Sequence, residues 1–344
     1  VKRLLLVLPC CIGDVVLATA TLIALRRAYP QAHITWAVGS WSRGVVEQHP
    51  ALNAVLDTGE AALPVKSIGG FLRFVRQVRA GEYDMVISLV RSPLMSAALL
   101  LTGIPVRAGL DSNGRGFGYT HQTPVNPLER RHEAELYLSA AAALGLDTSE
   151  CHANIPVHES DRASIRQRLT ALGLDQPYWV VNPAGGRNPG MTLDLKRWPP
   201  QHFAALIERL SPRLKATTIL LGGPADMPIL EAVAAYLPAR PVMLAGGLTF
   251  GEIGALAADS VLYLGNDTGL THLAAAAGAR TAMIFGPSDP LRYAPFTPAS
   301  LSLWKPSAVE AGGVWAGVPE GWSWEQDGIG VDEVEARLCE WLGM

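Results

Sequence analysis

The chain has no apolar run near the roughly 20 residues that cross a bilayer; the alanine and leucine stretch at Ser96 to Leu101 is far shorter. It is also poor in charge: Asp, Glu, Lys and Arg make up 17% of the residues and leave a net charge of −3. That balance excludes a general nucleic-acid binder, which needs a strongly basic face to displace counterions from phosphates. Cysteine is scarce. Cys10, Cys11, Cys151 and Cys339 show no paired metal-ligand spacing, and the vicinal Cys10-Cys11 does not suit a structural disulfide, so they read as small buried residues of a protein in a reducing compartment. The apolar part of Val1 to Leu8 spans only about five residues before the polar turn, too few for a secretory signal, and fits a buried parallel strand. A soluble or membrane-peripheral protein with small-molecule partners is the expectation.

What the sequence does have is 49% hydrophobic residues over 344 positions, enough for two domains of ordinary size. The start reads as strand (Lys2 to Leu8), glycine-containing turn, helix (Val15 to Tyr29) and strand (His33 to Val38). That is a βαβ unit, the building block of a parallel sheet. Further strands are expected at 54–56 and 84–89. After a helix over 160–172, the pattern restarts at Tyr178 to Asn182 and continues through 216–221, 242–244, 261–264 and 281–285. The fold class is thus α/β with two Rossmann-like, doubly wound domains: 1–158, 159–325, and an amphipathic terminal helix within 326–344 that could cross back onto the first.

The strands end in small polar or glycine-rich turns at 9–14, 183–186, 222–224, 265–267 and 286–289. Ligands of open parallel sheets bind at such strand ends. The stretch Tyr263 to Ala279 places Asp267-Thr268-Gly269 directly before an alanine-rich helix. Two readings stand. A side-chain oxygen could cap the helix, or the glycine could let a phosphate approach the free N–H groups and the positive end of the helix dipole. Two such sheets with facing loop ends would form a cleft.

Taken together, Gly13-Asp14 after the first strand, Lys196-Arg197-Trp198-Pro199, Asp267 to His272 and Phe285 to Pro290 resemble glycosyltransferase family 9, the ADP-heptose:lipopolysaccharide heptosyltransferases. The resemblance runs over nearly the whole chain, in the family's motif order. It implies a GT-B fold facing across a cleft, with the acceptor on the N-terminal domain and the nucleotide sugar on the C-terminal one. Asp14, otherwise a candidate helix cap, becomes the general base that takes the acceptor hydroxyl's proton in an inverting transfer. Lys196, otherwise a loop charge beside a packed Trp, offsets the diphosphate leaving group, with Thr192 and Arg197 as neighbours. The chain contains no Asp-x-Asp pair for Mg²⁺, so no metal and no cofactor are expected beyond the nucleotide-sugar co-substrate. Thr268 and Gly269 would meet the donor phosphates. Asp267, which would repel them, is suited to sugar hydroxyls or to orienting Lys196, and His272 lies one helical turn on. The resemblance places the base of the nucleotide near Gly246 to Thr249, read by Gly247 and Leu248 main-chain groups, while Asp226 suits the ribose hydroxyls or a helix N-terminus.

On the acceptor side Pro9-Cys10-Cys11-Ile12 offers no charge where many relatives carry a basic or hydroxyl residue. Gly13, Arg91, Arg107 and Arg115 are the candidates for a glycolipid or glycan acceptor, since guanidinium groups bind carboxylates and phosphates with two prongs. Residues 114–118 lack a dinucleotide-binding spacing and read as a mobile loop. Arg73, Arg76 and Arg79 mark either the solvated side of a sheet-covering helix or a face for an anionic membrane. The implied function is heptose transfer from ADP-heptose onto a lipopolysaccharide core or other envelope glycan at the cytoplasmic membrane face. The alternatives are another nucleotide sugar with another acceptor, a nucleotide-sugar epimerase, and a non-catalytic donor-binding protein.

Overall fold

The computed structural model describes residues 1–61, 63–126, 128–174, 176–188, 191–306 and 320–344. The chain forms two compact units, divided between Asn154 and Ile155, slightly before the boundary expected from sequence.

The first unit runs β1 (Arg3–Val7), α1 (Ile12–Ala28), β2 (His33–Val38), α2 (Ser40–Val46), β3 (Ala54–Asp57), α3 (Ile68–Ala80), β4 (Met85–Ser88), α4 (Pro93–Thr102), β5 (Val106–Asp111), β6 (His121–Pro124) and α5 (Glu133–Ala142). Its six strands pair in parallel in the order β3-β2-β1-β4-β5-β6. Helices cover both faces, so central strands are buried on both sides and read as continuous apolar runs; Leu4, Leu5, Leu6 and Val7 are all buried. On one face Leu5, Val7 and Val86 pack against Phe74, Val78, Met95 and Leu99. α1 is buried from Val15 to Ala20 and packs against α5, the contact that assembles the first candidate site.

The second unit runs α6 (Glu159–Ala171), β7 (Tyr178–Asn182), the short hairpin β8 (Arg187–Asn188) and β9 (Met191–Thr192), α7 (Pro200–Leu214), β10 (Thr217–Gly222), α8 (Met227–Ala234), β11 (Val242–Ala245), α9 (Phe250–Ala258), β12 (Tyr263–Asn266), α10 (Gly269–Ala276), β13 (Thr281–Ile284), α11 (Pro290–Tyr293), β14 (Ser300–Leu303) and α12 (Val331–Leu342). The main sheet repeats the first unit's pattern, β11-β10-β7-β12-β13-β14, again all parallel. α12 is a helix where the sequence places one, and it belongs to this second unit. Its Val334 and Leu338 enter the core of Trp179, Leu220, Phe203 and Leu206, and Arg209 of α7 reaches Asp332 at 2.6 Å.

Three details differ from the sequence reading. α1 begins at Ile12, before the expected Val15, which takes Asp14 into the helix. β12 extends to Asn266, because the small Gly265 and the fully buried Asn266 continue the strand the apolar residues begin. Cys10 and Cys11 are only part-buried at the end of β1, and only Cys151 and Cys339 are the buried residues expected. Among the described residues no helix is long and apolar enough to cross a membrane.

Candidate active site

In each sheet the strand order reverses beside the first strand, between β1 and β4 and between β7 and β12. The crevice at the carboxyl end of such a switch point is where doubly wound sheets take ligands. Each unit gathers its chemically distinctive side chains there.

In the first unit β1 delivers Cys10, Cys11 and the first turn of α1, while Arg91 follows β4. Cys11 is the N-cap residue and no side chain caps the helix, so Asp14 is not spent as a cap. Its Oδ1 accepts the Tyr137 hydroxyl at 2.8 Å, and the Cys10 thiol donates to Oδ2 at 3.5 Å. Tyr137 and Glu133 sit four residues apart on α5, one helical turn, and so share a face. Glu133 is 1% exposed and receives Arg91 Nη2 at 2.7 Å. Loss of water, and then the negative charge of Glu133, raise the Asp14 carboxyl above its ordinary range; the bonds from Tyr137 and Cys10 and the charge of Arg91 oppose that rise without cancelling it. Burial first, with Asp14 and Glu133, pushes the Tyr137 hydroxyl well up, so it remains a proton donor to Asp14. The result is a carboxylate held in place with its basicity increased, the property a general base needs.

Glu133, Tyr137 and Cys10 were missed in the sequence. The pair at i and i+4 is visible in retrospect, but only the packing of α5 on α1 aims it at Asp14. Of the expected acceptor residues, Gly13 lies in the same first turn and Arg91 in the same cluster. Arg115 is exposed in the turn after β5. Arg107 stands apart: it pairs opposite Val86 near the start of β5, and its guanidinium donates to the carbonyl oxygens of Gly118 at 2.7 Å and of Ile104. These bonds engage its Nε and Nη1 with backbone carbonyls. The turn at 114–118, read as mobile, is instead tied down, with Gly116 N–H donating to Asp111 Oδ1 at 2.8 Å and Gly118 N–H to the Ser96 hydroxyl at 2.7 Å.

In the second unit Lys196 Nζ meets Asp267 Oδ2 at 2.6 Å, with the Lys side chain 24% exposed and the Asp 6%. Burial would raise Asp267, but the Lys196 and His272 charges and hydrogen bonds from Lys196 and Ser288 outweigh it and hold the carboxyl below its usual range. Of the two roles open to Asp267, orienting Lys196 is therefore the one the contacts display. His272 is buried, its Nε2 3.9 Å from Asp267 Oδ1, so it backs Asp267. Thr268 is the N-cap residue of α10 but makes no side-chain cap bond, and the first-turn N–H groups of a helix have no acceptor within it.

The fully buried Asn266, also missed from sequence, ties these parts together. Its Oδ1 accepts Trp198 N–H at 3.0 Å and its Nδ2 donates to Pro183 O at 2.9 Å. A single amide thus fixes the ends of β7 and β12 and the segment carrying Lys196. Arg197 donates through Nε to Gly185 O at 2.8 Å, and its Nη2 has no hydrogen-bond partner among the described residues. Thr192, exposed, closes the β8–β9 hairpin.

Gly185 has φ +115°, and a Cβ on it would stand 1.8 Å from Thr268 Cγ2. Gly185→Ala is expected to cost about 2–4 kcal/mol through backbone strain and displacement of Thr268. Urea denaturation checks this, and an unchanged midpoint would contradict it.

At the far end of the row, Asp226 accepts Gly223 N–H at 2.8 Å, which gives the carboxylate a turn-closing task of its own. Gly246 N–H donates to Gly222 O at 3.0 Å, so this turn and the Gly247-Leu248 loop lie side by side. Gly247 O is taken by Arg168 at 2.9 Å.

Comparison with known proteins gives the family and the fold. The family model "Glycosyltransferase family 9 (heptosyltransferase)" matches residues 71–310. Lipopolysaccharide heptosyltransferase 3 of Escherichia coli is 25% identical over 298 residues, covering 85% of this chain and 86% of its own. The family 9 glycosyl transferase structure from Veillonella parvula superposes with TM-score 0.81 at 25% identity, covering 99% of this chain and 97% of that one. The E. coli ADP-heptose heptosyltransferase II structure gives TM-score 0.77 at 21% identity over 99% and 98%. The chain therefore belongs to glycosyltransferase family 9, the heptosyltransferase family, and is a glycosyltransferase of the GT-B fold class built on two Rossmann-type units.

Proposed function

We propose that this enzyme is an inverting, metal-independent heptosyltransferase that moves heptose from ADP-heptose onto a sugar of the lipopolysaccharide core. The Lys196–Asp267 pair beside the N-terminus of α10 carries this reading: it presents an oriented cation and free N–H groups at the switch point of the second sheet. A departing diphosphate accumulates charge that such groups offset, and preorganised donors are the largest single source of rate in many transfers. Relatives of this chain are heptosyltransferases of lipopolysaccharide, and one structural neighbour was solved with ADP.

In the proposed reaction Asp14 Oδ2 takes the proton of the acceptor hydroxyl as its oxygen bonds to the anomeric carbon. The bond from that carbon to the diphosphate breaks on the opposite face, and ADP leaves with the electron pair, its charge met by Lys196, Arg197 and the Thr268-Gly269 N–H groups. Tyr137 fixes the carboxylate, and Glu133 keeps Arg91 beside it. A glycolipid acceptor would bring the enzyme to the inner face of the cytoplasmic membrane. Exposed Ile68 and Leu72, with Arg73, Arg76 and Arg79 on α3, suit such peripheral contact.

Isothermal titration of EDTA-treated protein with ADP, UDP and GDP tests the donor assignment. ADP is expected to bind with Kd near about 1 μM, or about −8 kcal/mol, and the EDTA-treated enzyme to turn over ADP-heptose. Preference for UDP or GDP would overturn the donor, and no binding at all would overturn the site.

A further inference from the structure

Beyond the transfer reaction, we infer that Cys10, Cys11 and Asp14 form a binding site for a thiophilic divalent cation, of the Zn²⁺ and Cd²⁺ class, which blocks the carboxylate when occupied. The three ligand atoms lie within 4.8 Å of one another. Cys10 Sγ is 3.4 Å from Cys11 Sγ and 3.5 Å from Asp14 Oδ2. Tetrahedral zinc, with bonds of about 2.3 Å to sulfur and about 2.0 Å to oxygen, sets its ligands about 3.8 Å apart for two sulfurs and about 3.5 Å for sulfur and oxygen. The Cys10–Asp14 spacing is already met, and a few tenths of an ångström of side-chain rotation separates the sulfurs.

The donor set selects the metal class. Two thiolates and one carboxylate suit a borderline-soft ion over Mg²⁺ or Ca²⁺, which take oxygen ligands. All three residues are part-buried but keep some exposed surface through which an ion can reach them, and three protein ligands leave a fourth position for water. Binding releases the thiol protons. Occupancy removes Oδ2 as a proton acceptor. That consequence rests on the proposed role of Asp14; the site itself does not.

The probe is CdCl₂ added to EDTA-stripped, phosphine-reduced protein, read by the ultraviolet sulfur-to-cadmium charge-transfer band. The band is expected to saturate near about one equivalent, to vanish in Cys10→Ser and in Cys11→Ser, and to need at least about tenfold more Cd²⁺ in Asp14→Asn. Circular dichroism shows whether each variant is folded. A readout on the native sequence accompanies it: Zn²⁺ should protect Cys10 and Cys11, both in the tryptic peptide Leu4 to Arg26, from iodoacetamide. No band at one equivalent, a band surviving in both folded serine variants, or alkylation of that peptide unchanged by Zn²⁺ would overturn the site. Turnover should fall with Zn²⁺ and return with EDTA. Metal bound by the spectroscopic test with turnover unaffected would leave the site standing and overturn Asp14 as the base.

Discussion

Asp14→Asn is expected to lower kcat by about 10³-fold, within the range that positioned acid–base groups contribute, while leaving ADP affinity unchanged. The nucleotide is assigned to Lys196 and the end of β12 in the other unit, so steady-state kinetics and titration calorimetry should separate the two effects. Equal losses in both would contradict the assignment. The same substitution is expected to raise the thermal midpoint at neutral pH. Asp14 has a folded pKa raised above its unfolded value by burial and then by Glu133. Its contribution to stability is therefore present below the unfolded pKa and is lost as pH rises through the folded one. Asn never ionises and escapes that loss.

The pH profile carries a related signature. Asp14 must be ionised to accept a proton, so kcat falls as pH drops through its raised folded pKa. Tyr137→Phe removes a hydrogen bond that lowers that pKa, which moves the acid limb to higher pH. A Tyr137 that only packed would reduce kcat without moving the limb.

Lys196→Ala is expected to weaken ADP binding by about 100-fold, or about 2.7 kcal/mol, and to destabilise the fold as well. Removing the ammonium leaves Asp267, 6% exposed, as an uncompensated buried charge. Breaking a buried pair in this way costs about 3–5 kcal/mol, and the partial exposure of Lys196 reduces that to about 2–4 kcal/mol. The Asp267 carboxyl is held below its usual range against the upward push of burial. Its stabilising contribution is thus present above the unfolded pKa and lost as pH falls through the folded one. The variant should converge with the native protein in acid and diverge toward neutral pH. The double variant Lys196→Met, Asp267→Asn should recover most of the stability and none of the ADP affinity. Recovery of both would show that Lys196 serves packing alone.

Much of this enzyme is legible in one dimension. Buried parallel strands are continuous apolar runs, and His33–Val38 and Tyr178–Asn182 are visible in the sequence with the bounds the structure has. β5, β6 and β14 are not, because these edge and near-edge strands mix polar with apolar residues and lack the continuous apolar run of a central strand, as His121–Pro124 shows. The motifs around Asp14, Lys196 and Asp267 are likewise local, since chain turns at strand ends bring their own residues to the ligand side of a sheet.

Side-chain partnership is different in kind. Nothing near Asp14 in sequence marks Tyr137 or Glu133, more than 100 positions away, as the groups that hold it and raise its basicity. Nothing in Gly265-Asn266-Asp267 marks the amide as a tie between separate loops, and Arg107 carries the same charge as Arg91 in any composition. The sequence by itself determined the two βαβ-based sheets and which turns lie at the carboxyl ends of their strands, because those follow from apolar periodicity and turn chemistry. Only the tertiary structure decided that Arg91 joins Asp14 while Arg107 serves backbone carbonyls, that Asp267 orients Lys196, and that two part-buried cysteines stand beside the carboxylate. Those outcomes depend on the packing of α5 on α1 and on the ends of β7 and β12 meeting, contacts between residues far apart in the chain.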